Sequence, residues 1–303
     1  MAASTCSTLA LAHYEPLAGT ASPAAGYVLI EQSGSWGRRA LTESALDPGL
    51  GARLEAAGAA AGVKVLLTRR PGRHPRAEPR HHEVVLAHVG PAPWMEVCQL
   101  APAELGALDP AVCAAPTPPG LGSPSSGPRW LVCTHARRDR CCASLGRPVA
   151  DTLGALHPDE TWETSHLGGH RFAATMLVLP EGLLYGHLDV ASAMEVVTGH
   201  LAGRVAVDHL RGRSHLGPLA QAAEVATRRY LELDRLDDVE VTDQPVQGPA
   251  PEGEPVQVVV AAGGRQVQVS IQARRDPQAR PMSCDAEPET PVLLEVLDLE
   301  VVG

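Results

Sequence analysis

Apolar positions along this chain fall in short runs separated by Gly, Pro and polar clusters. That pattern predicts many short buried strands interleaved with helices. In the first half it predicts a strand at Tyr27–Glu31, a helix over Thr42–Ala61 and a second strand at Val63–Thr68. The polar segment 69–82 follows, then strands at Glu83–His88 and Met95–Leu100 and a short helix near Ala101–Leu108. The second half repeats the order. A strand at 129–135 (RWLVCTH) leads to a helix capped by Asp139 and running to about Leu156, and a short strand follows at Thr161–Ser165. Met176–Leu179 and Leu183–Tyr185 flank Pro180-Glu181-Gly182 as a hairpin, and a helix over Ala191–Leu201 completes the series.

Each half therefore reads βαβ followed by ββα, the order of a thioredoxin-like sheet. The expected fold is α/β, with two thioredoxin-like lobes and a small β-rich appendage. The expected boundaries are a degenerate lobe over 1–110, a linker over 111–128, a second lobe over 129–235 and a tail over 236–303. The linker is inferred from its Ala, Pro, Gly and Ser content without apolar periodicity. Beyond the repeated elements, Leu216–Leu233 predicts a helix, 243–253 is Pro- and Gly-rich, and Val256–Ala261, Gln266–Ala273 and Val292–Val302 predict strands.

Composition narrows the function classes. The chain has 303 residues, enough for two ordinary domains, and aromatics make up only 3%, so Ala, Leu and Val must fill the cores. A net charge of −10 argues against a nucleic-acid partner, which needs concentrated Lys and Arg. No apolar run is long enough for a membrane span, and the opening MAASTCSTLALAHYE lacks the basic start of a signal peptide. A cytoplasmic, reducing location is expected, where seven unevenly spaced Cys do not read as a disulfide framework.

Two segments concentrate metal-binding side chains: Cys133-Thr134-His135 with Cys141-Cys142, and His166-Leu167-Gly168-Gly169-His170. Cys133 ends a predicted strand and Cys142 begins the following helix, so both thiols can converge where the connecting loop folds back. Nearby Arg137, Arg138 and Arg140, with a helix N-terminus, favour the thiolate. The two glycines of HLGGH permit a tight turn that aims both imidazoles inward. The same four ligands suit tetrahedral zinc, and spacing alone leaves that reading open.

CTHARRDRCC, followed by WETSHLGGHRFAATMLVLPEGLLYGHLD, resembles the sucrase/ferredoxin-like family, a branch of thioredoxin-like ferredoxins. Gly19-Thr20-Ala21 and Glu31 through Trp36-Gly37 extend the resemblance over most of the chain. It departs from the pattern at Ser33 and Ser35, where prolines are common, and at His187, where Arg is expected. The resemblance implies a [2Fe–2S] cluster held by Cys133, Cys142, His166 and His170, with Cys141 the substitute for Cys142. His135 and Arg171 are expected to support those ligands. The implied function is one-electron transfer between a reductase and an acceptor protein, with neither nucleic acid nor membrane involved. The first lobe would serve docking or a homodimer. A structural Cys2His2 zinc or interaction protein is the alternative. Sucrose hydrolysis, which the family name suggests, needs two facing carboxylates. Glu163 and Asp189 flank the HLGGH segment with no sign of an aromatic-lined sugar cleft, so an enzyme is not expected.

Overall fold

The structure, a computed structural model, describes residues 5–72, 81–125, 127–243 and 251–302. Parts of the polar segment 69–82 and of the Pro- and Gly-rich stretch 243–253 lie outside the described residues. In chain order the elements begin with α1 (Cys6–Ala12), β1 (Gly26–Glu31), α2 (Pro48–Ala60), β2 (Val63–Arg69), β3 (His82–His88) and β4 (Trp94–Leu100). Next come α3 (Pro102–Ala107), β5 (Ser123–Pro124), β6 (Arg129–Cys133), α4 (Arg140–Leu156), β7 (Thr161–Thr164), β8 (Met176–Leu179) and β9 (Leu183–Tyr185). The chain continues with α5 (Val190–Leu201), β10 (Leu210–Arg213), α6 (Pro218–Leu231), β11 (Val239–Asp243), β12 (Val256–Ala262) and β13 (Arg265–Arg275). Short β14 (Arg280–Pro281) and β15 (Pro288–Glu289) precede β16 (Val292–Val302).

The α/β class is as expected. The residues 42–47, expected as helix, form turns instead, and α2 begins only at Pro48. The reason is local. Proline disfavours helix at the residue before it but suits the first helical turn, and the Asp47 side chain caps α2 by accepting from the Leu50 N–H at 2.7 Å. The stretch expected as a linker holds a short 3-10 helix at Pro110–Ala114, with Pro110 and Cys113 buried, and the two-residue β5.

The chain divides into two compact units. One comprises residues 24–167 and 176–182, and the other 1–23, 168–175 and 183–303. The first holds eight strands in the order β8-β6-β7-β2-β1-β3-β4-β5. Within it β1 runs parallel to β2 and antiparallel to β3, while β6 runs parallel to β7 and antiparallel to β8. The two halves meet where β2 and β7 pair antiparallel, Thr68 opposite Thr164 and Arg69 opposite Glu163. β1, β2 and β3 are near-continuous apolar runs, which suits strands covered on both faces. Val28, Ile30, Leu54, Leu67 and Leu86 are fully buried in this core, each contributing roughly 1.5–3 kcal/mol.

In the second unit β9 pairs antiparallel with β10. A four-stranded antiparallel sheet runs β11-β12-β13-β16, in the region expected as a β-rich tail. Inward Val258 and Val260 of β12 and Val267, Val269 and Ile271 of β13 pack on Leu219, Ala222 and Ala223 of α6, and on β13 they alternate with outward Gln268, Ser270 and Gln272. Glu224 of α6 is buried and anchors the helix through Arg213 at 2.9 Å and Arg228 at 3.0 Å.

Candidate metal centre

β6 and β7 are neighbouring parallel strands, with Cys133 opposite Thr164 at their carboxyl ends. Cys133 closes β6. The chain then loops to Asp139, whose carboxylate accepts from the Cys141 N–H at 2.8 Å and starts α4. Cys142 sits in the first turn of α4, and His166 follows the end of β7 by two residues. Sγ of Cys133, Sγ of Cys142 and a ring nitrogen of His166 all lie within 4.8 Å of one another. Sγ of Cys142 is 3.9 Å from Nδ1 of His166. Both thiols are buried and His166 is half-buried.

The electrostatics favour one thiolate. The Cys133 thiol is held well below the ordinary thiol range, chiefly because Cys142 donates a hydrogen bond to its sulfur. His166 and the His135 backbone N–H act in the same direction, against the cost of burial. Cys142 moves the opposite way, because the charged Cys133 sulfur holds its proton and because it is buried. Cys133 is therefore the more acidic thiol of the two. Two soft sulfur donors and one imidazole, withdrawn from water at one point, fit an iron–sulfur cluster or a zinc ion.

The remaining expected residues take different places. Cys141 is buried on α4 beside Cys142 but is not part of this trio. His170 opens a short 3-10 helix, His170–Phe172, which belongs to the other compact unit. His135 hydrogen-bonds through Nε2 to the Gly37 carbonyl at 2.7 Å and meets Trp36 edge-on at 5.9 Å. Burial lowers its pKa. Arg171 ion-pairs with Glu15 at 2.5 Å and stacks over Phe172 at 4.4 Å. No disulfide is formed by any of the seven cysteines.

A family model described as sucrase/ferredoxin-like matches residues 17–212, well over half of the chain. The chain belongs to that family. Comparison with curated proteins and with solved structures returned no match in either case.

Several supports of this sucrase/ferredoxin-like site carry little signal in the sequence. Gly146 of α4 lies against the end of β6, and a Cβ there would meet the Cys133 carbonyl oxygen at 2.2 Å. Glu163 accepts from Thr134 Oγ1 at 2.7 Å and pairs with Arg69 at 2.6 Å, so the residue next to Cys133 is tied to β7 and β2. Ser165 Oγ accepts from the Leu67 N–H at 3.0 Å, which fixes the residue before His166. The N-terminal motif also has structural work. Trp36 lies under the Arg69 guanidinium at 4.3 Å, and its neighbour Gly37 holds His135. In the other unit the buried Arg211 donates to Thr20 Oγ1 at 3.1 Å and to the Gly168 carbonyl at 3.0 Å. Gly168 and Gly169 both take left-handed φ values, +89° and +67°, which explains two consecutive glycines in HLGGH.

Proposed function

We propose that this protein is a one-electron carrier with a [2Fe–2S] cluster held by Cys133, Cys142, His166 and His170 on a thioredoxin-like domain. The observation that carries the reading is the buried convergence of Cys133, Cys142 and His166 at the ends of two parallel strands. His170 enters as the second imidazole of the family's HLGGH motif. The strand order β2-β1-β3-β4, with the parallel and antiparallel pairings given above, supports the thioredoxin-like assignment. When bound, the cluster takes up and releases one electron.

The chain's own residues prepare the site. Cys133 is poised as thiolate, while Cys142 must lose its proton on loading, so loading is favoured as pH rises. Burial keeps water from the sulfurs, and the Asp139 cap holds the first turn of α4. With two neutral imidazoles replacing two thiolates, the ligands bring less negative charge than four cysteines. The potential is accordingly expected above the roughly −400 mV of plant-type ferredoxins. The two acids flanking the HLGGH segment are committed elsewhere, Glu163 to Arg69 and Thr134, and Asp189 to capping α5. This supports electron transfer over sugar hydrolysis. An electron-donating reductase and an acceptor protein are the partners implied, in a cytoplasmic setting. Among the described residues no helix is long and apolar enough to cross a membrane.

The test is iron, acid-labile sulfide and zinc on the anaerobically purified full chain, with an EPR spectrum after dithionite reduction. The expected result is about two irons and two sulfides per chain, with a low average g value that His170→Cys shifts. Stoichiometric zinc without sulfide, persisting after cluster reconstitution, would overturn the reading in favour of a structural zinc protein.

A further inference from the structure

Outside the residues matched by the family model, two cysteines 278 positions apart meet within one compact unit: Sγ of Cys6 lies 3.5 Å from Sγ of Cys284. Cys6 opens α1, whose first turn is fixed by a capping box between Thr5 and Thr8. Cys284 lies in the connection between β14 and β15, which pair antiparallel through Arg280–Glu289 and Pro281–Pro288. Both backbones are thus held from either side. Bonding the sulfurs requires closing 3.5 Å to about 2.0 Å, within reach of side-chain rotation.

The same two segments are joined a second time by charge. Glu15, just after α1, is buried and receives Arg280 of β14 at 3.0 Å, and Arg280 also pairs with Asp276 at 2.7 Å. The other oxygen of Glu15 takes Arg171 at 2.5 Å, and Ser7 Oγ donates to the Ala173 carbonyl at 3.0 Å. α1 and Glu15 therefore brace the 170–173 segment against β14.

We propose that Cys6 and Cys284 form a reversible disulfide, with a low-molecular-weight disulfide as oxidant. Cys284 is partly exposed and Cys6 is buried, which sets the order. The Cys284 thiolate attacks one sulfur of the small disulfide and expels one small thiolate, leaving a mixed disulfide on Cys284. The Cys6 sulfur then attacks Sγ of Cys284 and expels the second. Two protein thiols are oxidised by two electrons, the small disulfide is reduced to two thiols, and the two protein protons end on them. The bond locks α1 to the β14–β15 connection and stiffens the brace on residues 170–173. Any consequence for the cluster rests on the reading of His170 as a ligand, whereas the disulfide does not.

The experiment treats the full chain with glutathione disulfide, alkylates the remaining thiols and maps proteolytic peptides by mass spectrometry. A linked pair of peptides carrying Cys6 and Cys284, lighter by two hydrogens and released by dithiothreitol, is expected. It is absent in Cys284→Ser and in Cys6→Ser. Hydrogen exchange of residues 5–13 should slow several-fold in the oxidised wild type and stay unchanged in Cys284→Ser. Full alkylation of both cysteines after treatment, or linkage of either to a different cysteine, would overturn the proposal. Iron and sulfide, assayed on the same samples, report separately on the cluster.

Discussion

The two halves of the eight-stranded unit share one plan and differ at the ends of their strands. In each, a helix connects two parallel strands: α2 between β1 and β2, and α4 between β6 and β7. α/β sheets commonly place ligands at the carboxyl ends of their parallel strands. In the second half those ends bring together Cys133, Cys142 and His166. The equivalent positions of the first half hold Glu31 and Gln32 at the end of β1, Pro48 and Gly49 at the start of α2, and Arg69 and Arg70 at the end of β2. None of these is a soft donor. The backbone plan supplies the geometry twice, and among the described residues only one copy carries side chains that could hold a metal. Trp36 and Gly37, from the loop of the first half, pack on His135 of the second.

The largest effect expected from this contrast is on metal content. Cys133→Ser should remove essentially all iron and labile sulfide, while Cys98→Ser, on β4 of the first half, should leave both at wild-type levels. Elemental analysis with a sulfide assay measures this. Equal loss in both variants would mean that the halves do not differ in the way the geometry indicates.

A finer test leaves every donor in place. Gly146→Ala puts a methyl group 2.2 Å from the Cys133 carbonyl, so α4 or the end of β6 must shift and separate Cys133 from Cys142. Iron affinity should fall by about tenfold or more, as when groups supporting metal ligands are displaced. Gly106→Ala, on α3 of the first half, meets open space and should change nothing. Iron titration of the apo-proteins followed by absorbance compares the two.

The seam between the halves comes next. Arg69 and Glu163 face each other across the β2–β7 pairing with side chains 14% and 6% exposed, whereas Arg39 and Glu55 in the first half are 65% and 50% exposed. Glu163→Gln strands a buried guanidinium and should cost about 3 kcal/mol. Glu55→Gln should cost no more than about 0.5 kcal/mol. Urea denaturation of the two variants gives both values, and similar losses would show that the seam is no better protected than the surface.

The sequence carried much of this comparison. Strand and helix positions were legible because buried strands such as Tyr27–Glu31 and Val63–Thr68 are unbroken apolar runs, and Asp139 and Gly168-Gly169 are local signals. Three of the four expected ligands converge, because strand ends and a helix start follow from element order alone. What was hidden is non-local. The antiparallel joining of β2 to β7, the fit of Gly146 against the Cys133 carbonyl and the approach of Cys6 to Cys284 depend on residues brought together only by the finished fold. The start of α2 departs from the expected one for a different reason. Thr42 to Leu46 have helix-compatible composition, but Glu43 accepts the Arg38 N–H at 2.7 Å within a turn, and Pro48 resets the helix start.

The smallest effect concerns acid, and it follows the chain from the second half into β9. His187, two residues beyond β9, replaces the Arg expected from the family pattern and has φ +51°. Its ring stands edge-on to Phe172 at 5.4 Å. Burial, reinforced by the Arg211 charge and weakly by His209, pushes its pKa down to about 4, and Glu15 opposes the shift only in part. The folded pKa lies below the ordinary value of about 6.5, so between these two the unfolded chain binds more protons. Stability from this group is therefore present in full above about pH 6.5, is lost as pH falls toward about 4, and changes no further below that. Because the ring is only partly buried, the loss should be about 2 kcal/mol rather than the full linkage value. His187→Asn keeps a residue tolerant of positive φ and removes the titration. The difference in urea midpoint between wild type and His187→Asn should shift in favour of the variant between pH 7 and pH 4.5. A difference that stays constant over that range would mean that His187 is already solvated, and that the acid sensitivity of this region comes from its carboxylates.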